Sequence, residues 1–186
     1  MSWIFISIYV LWFLSEIILN TQLRAGKADK QNKDKSSLSF IWITLIISMT
    51  AASLFASYYY YPFASSPYIR YAGAGIVLLG IIFRLYAIKT LGRYFTVNVT
   101  IREGHKIIKQ GLYKYLRHPS YTGSLLSFVG FGISLNNWVS FFIVMIPVTA
   151  SFIRRMNIEE RALTEQFGEE YITYKKQTWR LLPFIY

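Results

Sequence analysis

The chain has no cysteine and only two histidines, His105 and His118, in 186 residues. The first absence removes disulfides, thiolate metal ligands and thiol nucleophiles. The second leaves too few imidazoles for a multi-histidine metal centre. Acidic residues are also scarce, nine against twenty Lys and Arg, for a net charge of +11. Such a surplus suits nucleic acid only where a folded soluble module presents a basic face. Here the charges lie between long apolar runs, a pattern that suits anionic lipid headgroups and the setting of topology. What the chain has in excess is apolar surface: 54% of its residues are hydrophobic and 18% aromatic. That is too apolar for an ordinary soluble domain of this length and implies an integral membrane protein.

Trp3 to Leu19 is an apolar run interrupted by serines and by Glu16 near its end. It has no basic region before it and no small-residue cleavage site after it, so it reads as a retained helix and not as a signal peptide. Arg24 to Lys35 is a polar connector with five basic residues, and Leu38 to Ala56 is nineteen nearly uninterrupted apolar or small residues, long enough to span. Tyr58 to Tyr61, followed by Pro62, predicts an interfacial belt that closes this helix. Tyr71 to Phe83 starts a third helix, with Gly73, Ala74 and Gly75 as a smooth face for close packing. Arg84 and Lys89 near its far end are expected to snorkel to the headgroups.

After Gly92 the period changes. Phe95, Val97, Val99 and Ile101 alternate with Thr96, Asn98 and Thr100, which predicts an extended segment, and Glu103-Gly104 predicts a turn. Asn98-Val99-Thr100 is formally a glycosylation sequon, but the topology below puts it in the cytoplasm and it reads as chance. Tyr121 to Leu135 and Trp138 to Ile153, joined by Asn136-Asn137, predict a tight helical hairpin. At ~1.5 Å per residue its arms reach roughly 22 to 24 Å, short of the ~30 Å hydrocarbon core. Groups on those arms can therefore meet a lipid tail sideways. From Arg154 the chain is polar, and Leu163, Phe167, Tyr171 and Tyr174 mark one face of an amphipathic helix that is finished by Pro183.

These readings give an all-α integral membrane protein with about five transmembrane helices, a short C-terminal helical hairpin and a cytoplasmic amphipathic C-terminal helix. Two regions are expected. Residues 1–91 hold helices one to three with the basic connector 23–37; residues 92–186 hold a connector 92–120, the hairpin 121–153 and the tail 154–186. Of the twenty Lys and Arg, five fall between Arg24 and Lys35, six between Arg93 and Arg117, and six between Arg154 and Arg180. Five spans would put those seventeen on one side, which the positive-inside rule makes the cytoplasm, with the N-terminus outside.

One stretch, Gly111 to Gly123 (GLYKYLRHPSYTG), carries residues that lipid does not require. Pro119 fixes the backbone at a helix entry, Arg117 and His118 stand just outside it, and Tyr121 can stack or hydrogen-bond. Free amides at such an entry favour a carboxylate or phosphate, although the same residues could form only an interfacial anchor. A second polar cluster, Arg154, Arg155, Glu159, Glu160 and Arg161, follows the last apolar run. Arg155 and Glu159 could be a surface i,i+4 pair worth ~0.3 kcal/mol, or the guanidinium could grip a carboxylate through paired donors.

GLYKYLRHPSYTG, followed after a hydrophobic hairpin by EERALTEQFGEEYITYKKQTWRLLPF (Glu159 to Phe184), resembles the isoprenylcysteine carboxyl methyltransferase family. Its members are integral membrane enzymes that use S-adenosylmethionine, and phospholipid N-methyltransferases are relatives. The resemblance runs from about Gly92 to the C-terminus and leaves out the first two helices. It implies that His105, Lys106, Ile107, Ile108, Tyr113, His118, Pro119, Ser120, Tyr121 and Glu160 contact the cofactor, with Asn98 a looser match. It also implies that Arg155 holds the acceptor's carboxylate. Ile158 and Asn157 stand where some relatives carry further acids. The residues suit the chemistry: a carboxylate nucleophile, with a free pKa of about 3.5, is ionised at neutral pH and needs no general base. Proximity, alignment and exclusion of water then carry the rate.

The expected partners are a lipophilic methyl acceptor entering from the bilayer and the membrane lipids, with no nucleic acid and no metal. A phospholipid amine or the hydroxyl of a lipophilic small molecule are alternative acceptors. The competing readings are an NADPH-dependent sterol reductase-like protein, by analogy of architecture, and a non-catalytic lipid-binding membrane protein.

Overall fold

A chain in lipid must satisfy its backbone N–H and C=O groups internally, so long apolar runs become helices. The computed structural model describes residues 3–22, 37–98, 100 and 104–183. Among these residues the chain forms six α-helices and no β-strand: α1 (Trp3–Gln22), α2 (Ser37–Tyr58), α3 (Tyr68–Leu91), α4 (Pro119–Ser134), α5 (Trp138–Phe167) and α6 (Glu169–Gln177). Helices α1, α2, α3 and α5 are long and apolar enough to cross a membrane. Helix α4, at 16 residues, is shorter than the ~20 that a straight crossing takes.

The closest packing is the seam between α3 and α4. Gly73, Val77, Gly80 and Arg84 recur at spacings of four, three and four along one face of α3. A Cβ at Gly80 would lie 2.5 Å from the Ser127 nitrogen, and one at Gly130 would lie 2.6 Å from the Gly73 oxygen. The backbones therefore touch, as small residues permit where no hydrophobic force drives helices together. The expected smooth face of Gly73, Ala74 and Gly75 needs correcting, because a Cβ at Gly75 would meet nothing within 4 Å.

Helices α2 and α5 pack through Ala52, Val144 and Val148, with the Ser140 hydroxyl donating to the Ala52 carbonyl at 2.9 Å. The Asn136-Asn137 turn ties this end together. Asn136 adopts φ 48°, accepts from the Phe63 and Ala64 amides and donates to the Ala64 carbonyl. Asn137 caps α5 by accepting from the Ser140 amide and donates to the Tyr59 carbonyl. The turn between α4 and α5 is thus fastened to the loop between α2 and α3.

Three expectations change. The alternating segment forms no strand among its described residues; Val99 and 101–103 lie outside them, as does the connector 23–36. Among the described residues the one extended pairing is instead a parallel bridge between Leu116 and Trp179, where the Arg117 amide donates to the Trp179 carbonyl at 2.8 Å. Secondly, the hairpin's second arm does not stop at Ile153: α5 runs on for 30 residues, through Pro147, to Phe167. Thirdly, the amphipathic face from Leu163 to Tyr174 is two helices. Gly168, at φ 53°, ends α5 and turns the chain into α6, in a backbone region that favours glycine.

Candidate active site

The Gly111 to Gly123 stretch is folded as its residues dictate. Gly111–Lys114 is one 3₁₀ turn, His118 stands at the N-cap of α4, and Pro119 takes the first helical position, where its missing N–H costs nothing. The C-terminal segment lies against it: the His118 amide donates to the Arg180 carbonyl and the Thr122 hydroxyl to the Leu181 carbonyl. The Tyr174 hydroxyl donates to the Tyr113 carbonyl at 2.7 Å. Burial pushes the Tyr174 phenol well above its usual range, so it keeps the proton that this bond uses. Burial likewise raises Tyr113 and Tyr171.

Glu160 is the node of this arrangement. Its Oε1 lies 3.0 Å from His118 Nε2, 3.1 Å from Arg180 Nε and 3.2 Å from Arg117 Nε, while Oε2 lies 3.4 Å from Lys175 Nζ. Arg117 also donates to the carbonyls of Lys175 and Thr178, closing the end of α6. The carboxylate joins α5, the entry to α4 and the C-terminal segment in one ion cluster.

Two cavities meet beside this cluster. The first is lined by Tyr94 to Thr96, Asn98, Thr100, His105, Ile107 and Ile108 of the connector, by Tyr113, by the entry to α4 and by the face of α5 and α6 that bears Glu159, Leu163 and Tyr171. Its walls mix aromatic rings with Thr96, Asn98, Thr100 and His105, and His105 packs against Tyr94 at 4.9 Å. The second lies between α1, α2, α4 and α5 and is largely apolar, walled by Trp12, Phe13, Ile41, Trp42, Leu45, Phe128 and Phe152. Its polar end holds Glu16, Arg84, Arg155 and Glu159. Phe95, Thr96, Ser120, Tyr121 and Glu159 line both cavities.

Arg155 is buried at 3% exposure, donating to the Ser37 hydroxyl and to the Val97 carbonyl at 2.6 Å. Arg84 does not snorkel. Its Nη1 donates to the Ser120 carbonyl and to the Ser120 and Ser124 hydroxyls at 3.2, 2.9 and 2.7 Å. Its Nη2 donates to Glu16 Oε2 at 3.0 Å, and its Nε lies 2.8 Å from Oε1 without a hydrogen bond, an ion pair between α3 and α1.

The sequence profile of the isoprenylcysteine carboxyl methyltransferase (ICMT) family matches residues 73–165. A probable protein-S-isoprenylcysteine O-methyltransferase from Oryza sativa subsp. indica is 30% identical over 189 residues, covering 99% of this chain and 96% of the rice protein. The chain belongs to the ICMT family. Protein-S-isoprenylcysteine O-methyltransferase B from Arabidopsis thaliana is 37% identical over 115 residues, which cover 61% of this chain and 58% of the plant protein. A solved structure of a eukaryotic intramembrane Ras methyltransferase, ICMT, shares the fold with a TM-score of 0.65 at 23% identity, covering 97% of this chain and 65% of that one. The chain thus spans nearly all of the rice relative but under two thirds of the Arabidopsis and solved ones. The likeness also reaches further towards the N-terminus than the two motifs do: the profile starts in α3, and the shared fold takes in nearly the whole chain.

Of the residues that the motifs singled out, Asn98, His105, Ile107, Ile108, Tyr113, His118, Ser120 and Tyr121 line the first cavity together. Lys106, Pro119 and Glu160 do not line it. Lys106 is exposed, Pro119 supports the helix entry, and Glu160 stands behind His118 in the ion cluster. Arg155 lines the second cavity. The site residues named from the sequence leave out three at the cavities' polar end. Glu159, one turn beyond Arg155, had the i,i+4 signal and faces both cavities, with His118 Nδ1 at 3.9 Å. Arg84 and Glu16 each had the signal of an ionisable residue inside an apolar run.

Proposed function

We propose that this chain methylates the carboxylate of a lipophilic, isoprenylcysteine-type acceptor, with S-adenosylmethionine held in the first cavity and the acceptor in the second. The observation that carries this reading is the shared wall. A polar and aromatic cavity abuts an apolar one at Ser120, Tyr121 and Glu159, and two guanidinium groups stand at the polar end of the apolar one. The first cavity suits the cofactor: Tyr94, Phe95, Tyr113 and Tyr171 offer ring faces, Asn98, Thr96 and Thr100 hydrogen bonds, and Glu159 a carboxylate for a cationic group. S-adenosylmethionine, when bound, supplies a methyl group on a positively charged sulfur.

The remainder is the work of the chain's own residues. Arg155 and Arg84 draw the acceptor's carboxylate to the junction and partly neutralise it, since a guanidinium offers paired donors to a carboxylate. The aromatic and aliphatic walls of the second cavity take the lipid tail and exclude water. His118 and Ser120 hold the entry of α4 between the two ligands, and the Glu160 cluster fixes that entry in place. Proton transfer is not required, because the acceptor is ionised.

This reading also puts the junction on the cytoplasmic face, with the N-terminus outside, in support of which seventeen of the twenty Lys and Arg fall in three sequence segments that five spans would put on one side. Purified protein incubated with methyl-labelled S-adenosylmethionine should label a farnesylcysteine analogue and render the product base-labile, as an ester is. Label appearing only in phospholipid amines of an added lipid extract would overturn the carboxylate reading. Absence of any transfer, with the cofactor still bound, would favour a non-catalytic lipid-binding protein.

A further inference from the structure

We propose that Glu16 is an internal stand-in for the acceptor's carboxylate, seated on Arg84 until the acceptor displaces it. The inference rests on the carboxylate-methylation reading above and deepens it. Arg84 has two functional edges. Its Nη1 is spent on the Ser120 carbonyl and the Ser120 and Ser124 hydroxyls of α4, so the guanidinium plane is held whether or not Glu16 is present. Its Nε–Nη2 edge, the pair of donors that best fits a carboxylate, is occupied by Glu16 imperfectly: Nη2 donates to Oε2 at 3.0 Å, while the buried Nε lies 2.8 Å from Oε1 without making a hydrogen bond. Both side chains line the cavity that would take the acceptor. An acceptor that reaches Arg84 must therefore take the place of the Glu16 carboxylate.

The position of Glu16 makes the exchange feasible. Its side chain keeps 23% exposure, and it belongs to α1, most of whose side chains face outwards, not to the tightly packed α3–α4 seam. Carboxylate is traded for carboxylate, so the guanidinium is never left without a counter-charge in a low-dielectric site. The exchange also gives direction to the cycle. Methylation removes the acceptor's negative charge, and the resulting ester loses the competition with Glu16. The pair then closes again behind the departing product and discriminates acid from ester.

The test uses the full-length protein in detergent and measures binding of S-farnesylcysteine and of its methyl ester, beside S-adenosylmethionine binding. If Glu16 holds Arg84 nine-tenths of the time, Glu16→Gln should tighten S-farnesylcysteine binding about tenfold, since apparent affinity scales with the competent fraction. Binding of the ester should stay unchanged. Glu16→Asp, which keeps the charge but shortens the reach, should fall between. Unchanged or weaker acid binding in Glu16→Gln, or equal tightening of acid and ester, overturns the proposal. So does loss of S-adenosylmethionine binding in both variants, because the pair is then structural. The methyltransferase reading fails separately, if the wild-type protein binds both ligands but yields no methyl ester.

Discussion

Two adjacent carboxylates on α5 have different surroundings, from which different effects of substitution are predicted. Glu160 is 8% exposed and is encircled by His118, Arg117, Arg180 and Lys175. Removing one member of a buried ionic cluster leaves the others uncompensated, at a cost of about 3 kcal/mol or more. Glu160→Gln should therefore lower the thermal unfolding temperature in detergent and loosen the segment beyond Thr178, read by faster proteolysis there. Glu159 is half-buried and faces both cavities. Glu159→Gln should leave the unfolding temperature nearly unchanged and weaken S-adenosylmethionine binding roughly tenfold, the scale of one lost charge-assisted contact. A reversed pattern, with Glu160→Gln stable and unable to bind cofactor, would return the direct contact to Glu160. Arg155 tests the other cavity. Its guanidinium also ties α5 to Ser37 and Val97, so Arg155→Ala loses anchoring as well as acceptor recognition. It should cut turnover at subsaturating farnesylcysteine about a hundredfold, the loss expected of a charged hydrogen-bonded contact, with Arg155→Lys recovering part of it. Full turnover in Arg155→Ala would exclude this role.

The α3–α4 seam is what holds Arg84 over Ser120, and it depends on absent side chains. Adding a Cβ at Gly80 puts it 2.5 Å from a backbone nitrogen and 2.7 Å from the Gly123 carbonyl, neither of which can swing aside. Gly80→Ala should therefore cost about 1–3 kcal/mol, as overpacking does. It should also lower activity more than stability accounts for, by shifting α3 against α4. Gly75→Ala, on the open face of the same helix, should be neutral or stabilising by about 0.5–1 kcal/mol through helix propensity. Thermal unfolding of the two variants side by side separates a packing seam from a general intolerance of substitution. Sequence periodicity made much at this scale legible: the apolar runs, the Pro119 helix entry and the Asn136-Asn137 turn are local signals, and each stands where those residues imply. Other features were hidden for physical reasons. The change of composition at Arg154 looked like a helix end because polarity marks where lipid stops, whereas the backbone of α5 continues to Phe167. The period from Leu163 to Tyr174 runs unbroken through Gly168, because side-chain spacing does not register a positive φ. The Glu16–Arg84 pair joins residues 68 apart on different helices, and no local pattern carries such a contact. In the site, the first cavity's lining was largely readable from the motif, while which of Glu159 and Glu160 faces the cavities depends on a helical phase that residue types alone leave open.

At the scale of the molecule, the fold sorts the two kinds of loop to opposite ends. The Asn136-Asn137 turn is bonded to residues 59–64, which puts the tyrosine-rich loop and the hairpin tip together. Arg155 bonds to Ser37 at the start of α2, and the C-terminal segment pairs with residues 115–118, which puts the start of α2, the entry to α4 and both cavities' polar walls at the far end. Among the described residues, Arg84, Arg117, Arg155, Lys175 and Arg180 stand at that far end, so the positive-inside rule predicts that it faces the cytoplasm. The lack of cysteine makes this directly testable, because any introduced thiol is the only one in the chain. Lys176→Cys, exposed on α6, should react with a membrane-impermeant maleimide in inside-out vesicles and not in intact cells. Tyr60→Cys, from a residue 79% exposed at the opposite end, should show the reverse. Adding S-adenosylmethionine should leave both patterns intact while raising the unfolding temperature; saturation at a hundredfold excess over Kd adds about 2.7 kcal/mol. If both cysteines react from the same side, then α2 and α3 do not cross as a pair. If Lys176→Cys reacts only from outside, the site opens away from the cytoplasm, and an acceptor would have to be presented on the outer face.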